Sequence, residues 1–233
     1  MVAFGGKAMK RIKQALTILG ITAVLGGMPA VAHAQASQTP IKQINFQEYY
    51  NQGVLKLGQG DFSGAIEDFN QVVRLNPQYY EGYCLRGLAR VQSGDSKTAI
   101  ADFNLALRLN PKHTDAYNSR GTAYADLGNI PAAIADFNQT IKIDPQFVDA
   151  YYNLGLANFK LGNHKQAIVN FNQTINRNPN RADAYSNRGL TQYALGDNKQ
   201  AVEDLQRAAR LFREQGNTQA YQQVQALMQQ LQR

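Results

Sequence analysis

Along residues 114–147 the apolar positions step by three and four. Tyr117, Tyr124 and Leu127 mark one face of a first half, and Ala133, Phe137 and Ile141 mark one face of a second. That is the period of a helix, not of a strand. Gly128-Asn129 divides the halves, because glycine reaches left-handed backbone angles at a helix end without steric cost. Asp144-Pro145 closes the second half, since proline cannot continue the ladder and drives its predecessor towards extended angles. The stretch predicts two helices joined by a tight turn.

The same pattern returns every thirty-four residues. Tyr49, Tyr83, Tyr117, Tyr151 and Tyr185 share one column, and Gly53, Gly87, Gly121, Gly155 and Gly189 the column four residues on. Further columns hold the turn glycines Gly60 to Gly196, the alanines Ala65 to Ala201, and Phe69, Phe103, Phe137, Phe171 and Leu205. Pro77, Pro111, Pro145 and Pro179 close the first four units. Self-similarity at a fixed period decides the fold before any single motif does. Gly121 lies inside a helix, where glycine costs up to about 1 kcal/mol against alanine. Its repetition predicts a point where two helices approach too closely for a side chain, with Ala133 as the small partner.

These columns resemble the tetratricopeptide repeat family: an aromatic fourth, Gly eighth, Ala twentieth, Phe twenty-fourth and Pro near the end of a helical hairpin of this period. The resemblance covers Phe46 to Arg213. Tyr replaces the family's frequent Trp in the fourth column, and the usual Leu before the glycine is Gln52, Arg86, Arg120 and Arg188, with Leu154 alone conforming. The resemblance implies an all-α, right-handed α-solenoid of helix-turn-helix repeats at 46–79, 80–113, 114–147, 148–181 and 182–213. One hairpin cannot bury its apolar face alone, so units stack and need closed ends. Residues 214–233 supply a capping helix: Gly216 breaks the chain, Thr218 is a candidate cap, and Tyr221, Val224, Leu227, Met228 and Leu231 share one face opposite glutamines.

The start of the chain has a different character. Lys7, Lys10, Arg11 and Lys13 precede an uncharged apolar run over 15–32 that ends in Ala32-His33-Ala34. Basic start, hydrophobic middle and small residues at the cut are the layout of a secretory signal peptide, predicted at 1–34. An uncleaved membrane anchor is the alternative; the run is barely of spanning length and is broken by Gly20, Gly26, Gly27 and Pro29. Residues 35–45, polar and carrying Pro40, read as a linker, with Asn45 and Glu48 opening the first helix. The chain is thus expected to be exported, in a bacterial periplasm or, in a photosynthetic host, a thylakoid lumen, with no stable membrane span after cleavage.

Export changes the charge argument. The net charge is +7; loss of the four cations Lys7, Lys10, Arg11 and Lys13, with no acid among residues 1–34, leaves +3. Neither charge nor compartment favours nucleic acid. Cys84 is the one cysteine, so an intramolecular disulfide is excluded. It either joins two copies of the chain, a route to self-association, or packs as a small apolar group, the reading adopted here.

No catalytic constellation is legible, and neither a cofactor nor a metal is expected. His113 and His164 lack metal-ligand spacing, and every repeat glycine has a structural reason, which leaves no phosphate loop. Asp68, Asp102, Asp136 and Asp204 recur in one column of the second helices and are expected to pair with Arg86, Arg120 and Arg188 across the hairpin.

The resemblance implies a concave groove, lined by the first helix of each hairpin, that holds an extended peptide or a partner helix. Its columns run through Tyr50, Cys84, Asn118, Tyr152 and Ser186, and through Leu57, Val91, Ala125, Phe159 and Tyr193. Peptide-binding members use asparagine in the sixth column, here Asn51, Asn153 and Asn187. These three, with Tyr50, Tyr152, Phe159 and Tyr193 for apolar contact, are the candidate partner-binding residues. Tyr50, Val54 and Asp115 stand where the family's clamp for acidic tails needs Lys, Asn and a further cation, so such a tail is not the expected ligand. Glu81, Asp115, Asp149 and Asp183 form an acidic row in the first turns, which either favours a basic or amine-bearing ligand or, the reading adopted, complements the helix dipole. The function expected is a non-catalytic scaffold for a protein or peptide partner; the alternative is a carbohydrate or cell-wall binder that stacks sugars on the groove tyrosines.

Overall fold

A computed structural model describes residues 45–231, which are helical with short turns. The predicted signal peptide, the anchor alternative and all but the last residue of the linker lie outside the described residues. The helices are α1 (Phe46–Gln59), α2 (Phe62–Leu75), α3 (Tyr80–Gln92), α4 (Ser96–Leu109), α5 (Thr114–Asp126), α6 (Ile130–Ile143), α7 (Val148–Lys160), α8 (His164–Arg177), α9 (Ala182–Ala194), α10 (Asn198–Glu214) and α11 (Thr218–Leu231). They fall into two compact units, one ending at Asp95 and one beginning at Ser96.

In the first unit α1 and α2 form a hairpin and α3 packs on α2. Asn45 caps α1 by accepting from the Gln47 amide, and Asp61 caps α2 through the Gly64 amide at 2.9 Å. Each cap satisfies a donor that the helix start leaves open. Leu57, Ala65, Phe69, Val72 and Ala89 form the core. Tyr50 lies between Phe69 and Tyr79, with ring centroids 6.4 and 5.6 Å away. Cys84 is buried, as the packing reading expects.

In the second unit α4 packs on α5, and from there each helix packs on the next one in the chain through α11. The first helices of successive hairpins also touch, α5 on α7 and α7 on α9. Phe103, Phe137, Phe171 and Leu205 are fully buried. Each phenylalanine withdraws enough apolar surface to contribute about 2–3 kcal/mol. Thr140 and Thr174, equally buried, give their hydroxyls to the Asp136 and Asn170 carbonyls one turn back, both at 3.0 Å, so neither is left unsatisfied.

The helical glycine column has a definite cause. A Cβ on Gly121 would stand 2.7 Å from the Phe137 ring, and one on Gly155 would stand 2.6 Å from the Phe171 ring. The aromatic column of the second helix therefore lies directly on the glycine column of the first. Ala133 contributes its carbonyl oxygen to the same spot, at 3.2 Å, so the main partner is a ring and not the small side chain expected.

Two details depart from the sequence reading. Leu127 is not on a buried face; it follows the last residue of α5 and is exposed. The cap of α11 is Asn217, whose side chain accepts from the Ala220 amide at 3.1 Å, and Thr218 is the first helical residue. In α11, Val224 and Met228 are buried against Leu205, Ala208 and Ala209, with Tyr221, Leu227 and Leu231 packed around them.

Candidate functional site

The first helices α5, α7 and α9 carry the candidate residues of the second unit. Asn153 donates its amide to the Asn118 side-chain oxygen at 3.1 Å, and Asn187 donates to the Tyr152 hydroxyl at 2.9 Å. Both bonds run from the sixth column of one hairpin to the fifth column of the hairpin before it. The sixth-column asparagines here act as rungs between neighbouring first helices. Tyr152 is 4% exposed and Asn153 9%, so these side chains support the face more than they present it. Asn51, on α1, is exposed and accepts from the Gln47 amide at 3.2 Å.

Tyr152 is held on several sides. Its ring stands 6.0 Å from that of Phe171, and the Arg181 guanidinium lies 3.9 Å from its centroid, close enough for a cation–π contact. Arg181 in turn binds the Asp149 carboxylate on α7 and the Asp183 carboxylate on α9, the latter at 3.0 Å. Burial first, and then the nearby Asp183 charge, push the Tyr152 hydroxyl well above the ordinary tyrosine range. Asp149 and Asp183 thus share one buried cation that ties two first helices together. The sequence reading gave those acids a dipole role or a basic ligand, and not a cation from the chain itself. The missed signal is Arg181 itself, which stands in a column otherwise filled by Tyr79, His113 and Phe147.

The other end of the same helices is apolar and open. Phe159 is 36% exposed and Tyr193 44%, and Leu127, Leu161 and Leu195, which follow the last residues of α5, α7 and α9, are exposed as well. Phe159 rests beside His164, ring centroids 5.3 Å apart. The structure therefore separates the candidates. Phe159 and Tyr193 are available surface; Asn153, Asn187 and Tyr152 are engaged in contacts between first helices nearer the opposite end. Of the tyrosines proposed as stacking platforms, Tyr152 is covered by Arg181 and Phe171 and Tyr50 is flanked by Phe69 and Tyr79, while Tyr193 stands open.

A second set of contacts explains the arginines that depart from the family pattern. Arg120 grips both oxygens of Asp136 across its hairpin, at 2.8 and 2.7 Å, and gives a third bond to Asn104 on the preceding second helix at 2.6 Å. Arg188 does the same with Asp204, at 2.7 and 2.6 Å, and with Asn172 at 2.6 Å. Two-pronged geometry is specific to guanidinium. The guanidinium also lies 5.4 Å from the ring of Tyr117 in one hairpin and of Tyr185 in the other. In the first unit Arg86 donates to Asn70 at 2.8 Å, while Asp68 is bound by Lys56 at 2.8 Å. The α7–α8 hairpin lacks both partners: Leu154 replaces the arginine and Asn170 the aspartate, and Arg177 covers Tyr151 instead, 4.1 Å from its centroid.

Among the described residues no group of three or more His, Cys, Asp or Glu side chains could hold a metal ion. None of the described helices is long and apolar enough to cross a membrane. Successive helical hairpins joined by side-chain rungs, with open apolar side chains at one end of the first helices, define an α-solenoid of the protein-interaction class.

Tetratricopeptide repeat profiles match residues 50–114, 148–181 and 182–215, and a further TPR repeat profile matches 121–162. The chain belongs to the tetratricopeptide repeat family. Its fold is similar to the crystal structure of MamA protein, at 27% identity over 74% of this chain and 94% of that one, with a TM-score of 0.64. It is similar also to MamA, 41 to the end, from Desulfovibrio magneticus RS-1, at 22% identity over 73% and 96% of the two chains, TM-score 0.67. A third relative is YrrB, described as a TPR protein with an unusual peptide-binding site, at 19% identity over 79% and 94%, TM-score 0.61. The last two bear on the fold alone. No curated protein sequence matches this one at a significant level.

Proposed function

We propose that this chain is a non-catalytic scaffold that holds a partner peptide or helix along the first helices α7 and α9, in the envelope of an exporting bacterium. The open pair Phe159 and Tyr193 carries the reading, since both stand exposed on helices whose flanking side chains are pinned. The rungs Asn153–Asn118 and Asn187–Tyr152 and the Arg181 clamp order that face before any partner arrives, so binding need not spend free energy on ordering it. Export rests on the basic start and apolar run of residues 1–34.

The test is a pull-down from envelope extract with the chain lacking residues 1–34, beside its Phe159→Ala/Tyr193→Ala double variant. Both residues are exposed, so the variant is expected to melt like the parent. A protein retained by the parent and lost from the variant supports the proposal. Equal retention by both removes α7 and α9 as the binding surface. Export is tested separately, by N-terminal sequencing of the protein recovered from the periplasm, which should begin at Gln35.

A further inference from the structure

The α9–α10 hairpin and α8 enclose a cleft of about 520 Å³, within the size range of small-molecule sites. Neither Phe159 nor Tyr193 lines it, and its lining holds a single aliphatic side chain, Ile168. One lining group is orphaned: Gln192 is 6% exposed, and its side-chain oxygen has no hydrogen-bond partner. Its amide nitrogen donates to the Gln200 side-chain oxygen at 3.2 Å, and the oxygen is the end left over. An acceptor buried without a donor is costly, and here its residue lines a cleft.

Charge narrows what can enter. Arg188, at the base, is committed to Asp204 and Asn172 by three bonds, so it has little to offer an anion. The Asp197 and Glu203 carboxylates on the lining repel one as well. Lys199 opposes a cation. With one aliphatic wall there is no seat for apolar peptide side chains. What remains is a neutral ligand that both donates and accepts: separate hydroxyls give their protons to Gln192 and to Glu203, and a hydroxyl oxygen accepts from Lys199. In the hairpins of α2, α6 and α8 the residues in the column of Glu203 and Lys199 never combine in this way: Glu67 goes with Ser63, Ala135 with Pro131, and Val169 with Lys165.

We propose that this cleft binds a polyhydroxylated ligand, a short neutral saccharide, between Gln192, Lys199 and Glu203. Because Gln192 is closed to solvent, the ligand reaches its oxygen through a turn of the exposed Gln200 side chain. Stacking on tyrosine plays no part in this mode, and the site is independent of the partner surface on α7 and α9.

The experiment titrates maltotriose and chitotriose into the chain lacking residues 1–34 and follows the side-chain amide signals of Gln192 and Gln200 by NMR. Inorganic phosphate and spermidine serve as anionic and cationic competitors. The expected result is a saturable shift with at least one sugar, unaffected by either competitor. Glu203→Ala and Lys199→Ala, both at exposed positions, should each weaken it about tenfold, the loss of one charge-assisted hydrogen bond, while Phe159→Ala leaves it unchanged. Absence of a saturable shift with both sugars overturns the proposal. So does undiminished binding in Glu203→Ala, or displacement by phosphate or spermidine.

Discussion

Asn187 and Tyr152 lie thirty-five positions apart in the chain, yet the amide of one donates to the hydroxyl of the other at 2.9 Å, from α9 to α7. The bond makes a sixth-column asparagine an internal tie. Tyr152→Phe and Asn187→Ala should each lower stability by about 1 kcal/mol, the usual net worth of such a bond. The double variant should lose clearly less than the two losses added. Urea denaturation of the four proteins checks this, and strict additivity would mean that the two side chains do not act together.

The Tyr152 hydroxyl is held above its ordinary range by burial and by Asp183, which gives stability an alkaline limb. In the unfolded chain this tyrosine ionises near pH 10, whereas in the folded chain it keeps its proton beyond that. The native state then binds more protons than the unfolded one, so the contribution is full below about pH 10 and is lost as pH rises further. Thermal melts across the alkaline range should fall less steeply for Tyr152→Phe than for the parent. Tyr50, raised chiefly by burial in the first unit, keeps part of the slope in that variant.

The α7–α8 hairpin offers a reciprocal test of the arginine ladder. Leu154 and Asn170 stand where Arg188 and Asp204 stand in the α9–α10 hairpin, and the buried Asn170 amide nitrogen has no partner. Leu154→Arg alone should destabilise by about 3 kcal/mol or more, since it places a charge beside no carboxylate. Adding Asn170→Asp should recover most of that loss. Failure of the second substitution to rescue the first, read from denaturation midpoints, would show that the ladder depends on more than these two columns.

Gly121→Ala sets two effects against each other. Alanine gains about 1 kcal/mol of helix propensity, but its methyl would stand 2.7 Å from the Phe137 ring, and overpacking of that kind costs about 1–3 kcal/mol. Net destabilisation is expected. Gly121→Ala/Phe137→Leu should lose less than the sum of the two single changes, because the smaller side chain frees the space; calorimetry on the three variants decides it.

The all-α repeat fold was legible because its causes are periodic: the same glycine, phenylalanine and proline recur where the same contact recurs. Pairing of Asp136 with Arg120 and of Asp204 with Arg188 was legible for that reason too. The site was harder to read. That Asn153 and Asn187 bind inward depends on the offset between successive first helices, which no single repeat encodes. Arg181 over Tyr152 is an exception within its column, and an exception carries no periodic signal. The exposure of Phe159 and Tyr193 reflects where the helices end and is not visible from their apolar character. Asp68 shows the limit from the other side, since with Gln52 in the seventh column its cation comes from Lys56, one turn later.

In the second unit each helix touches its neighbours in sequence, and each first helix touches the first helix of the next hairpin. The architecture is therefore extensible. A copy of one repeat inserted between Ile143 and Val148 would meet on both sides the kind of surface its parent already meets, and would lengthen the recognition face by one helix without demanding a new interface. Growth by in-frame duplication, and loss by its reverse, are open to such a chain in a way they are not to a protein whose ends meet in one shared core.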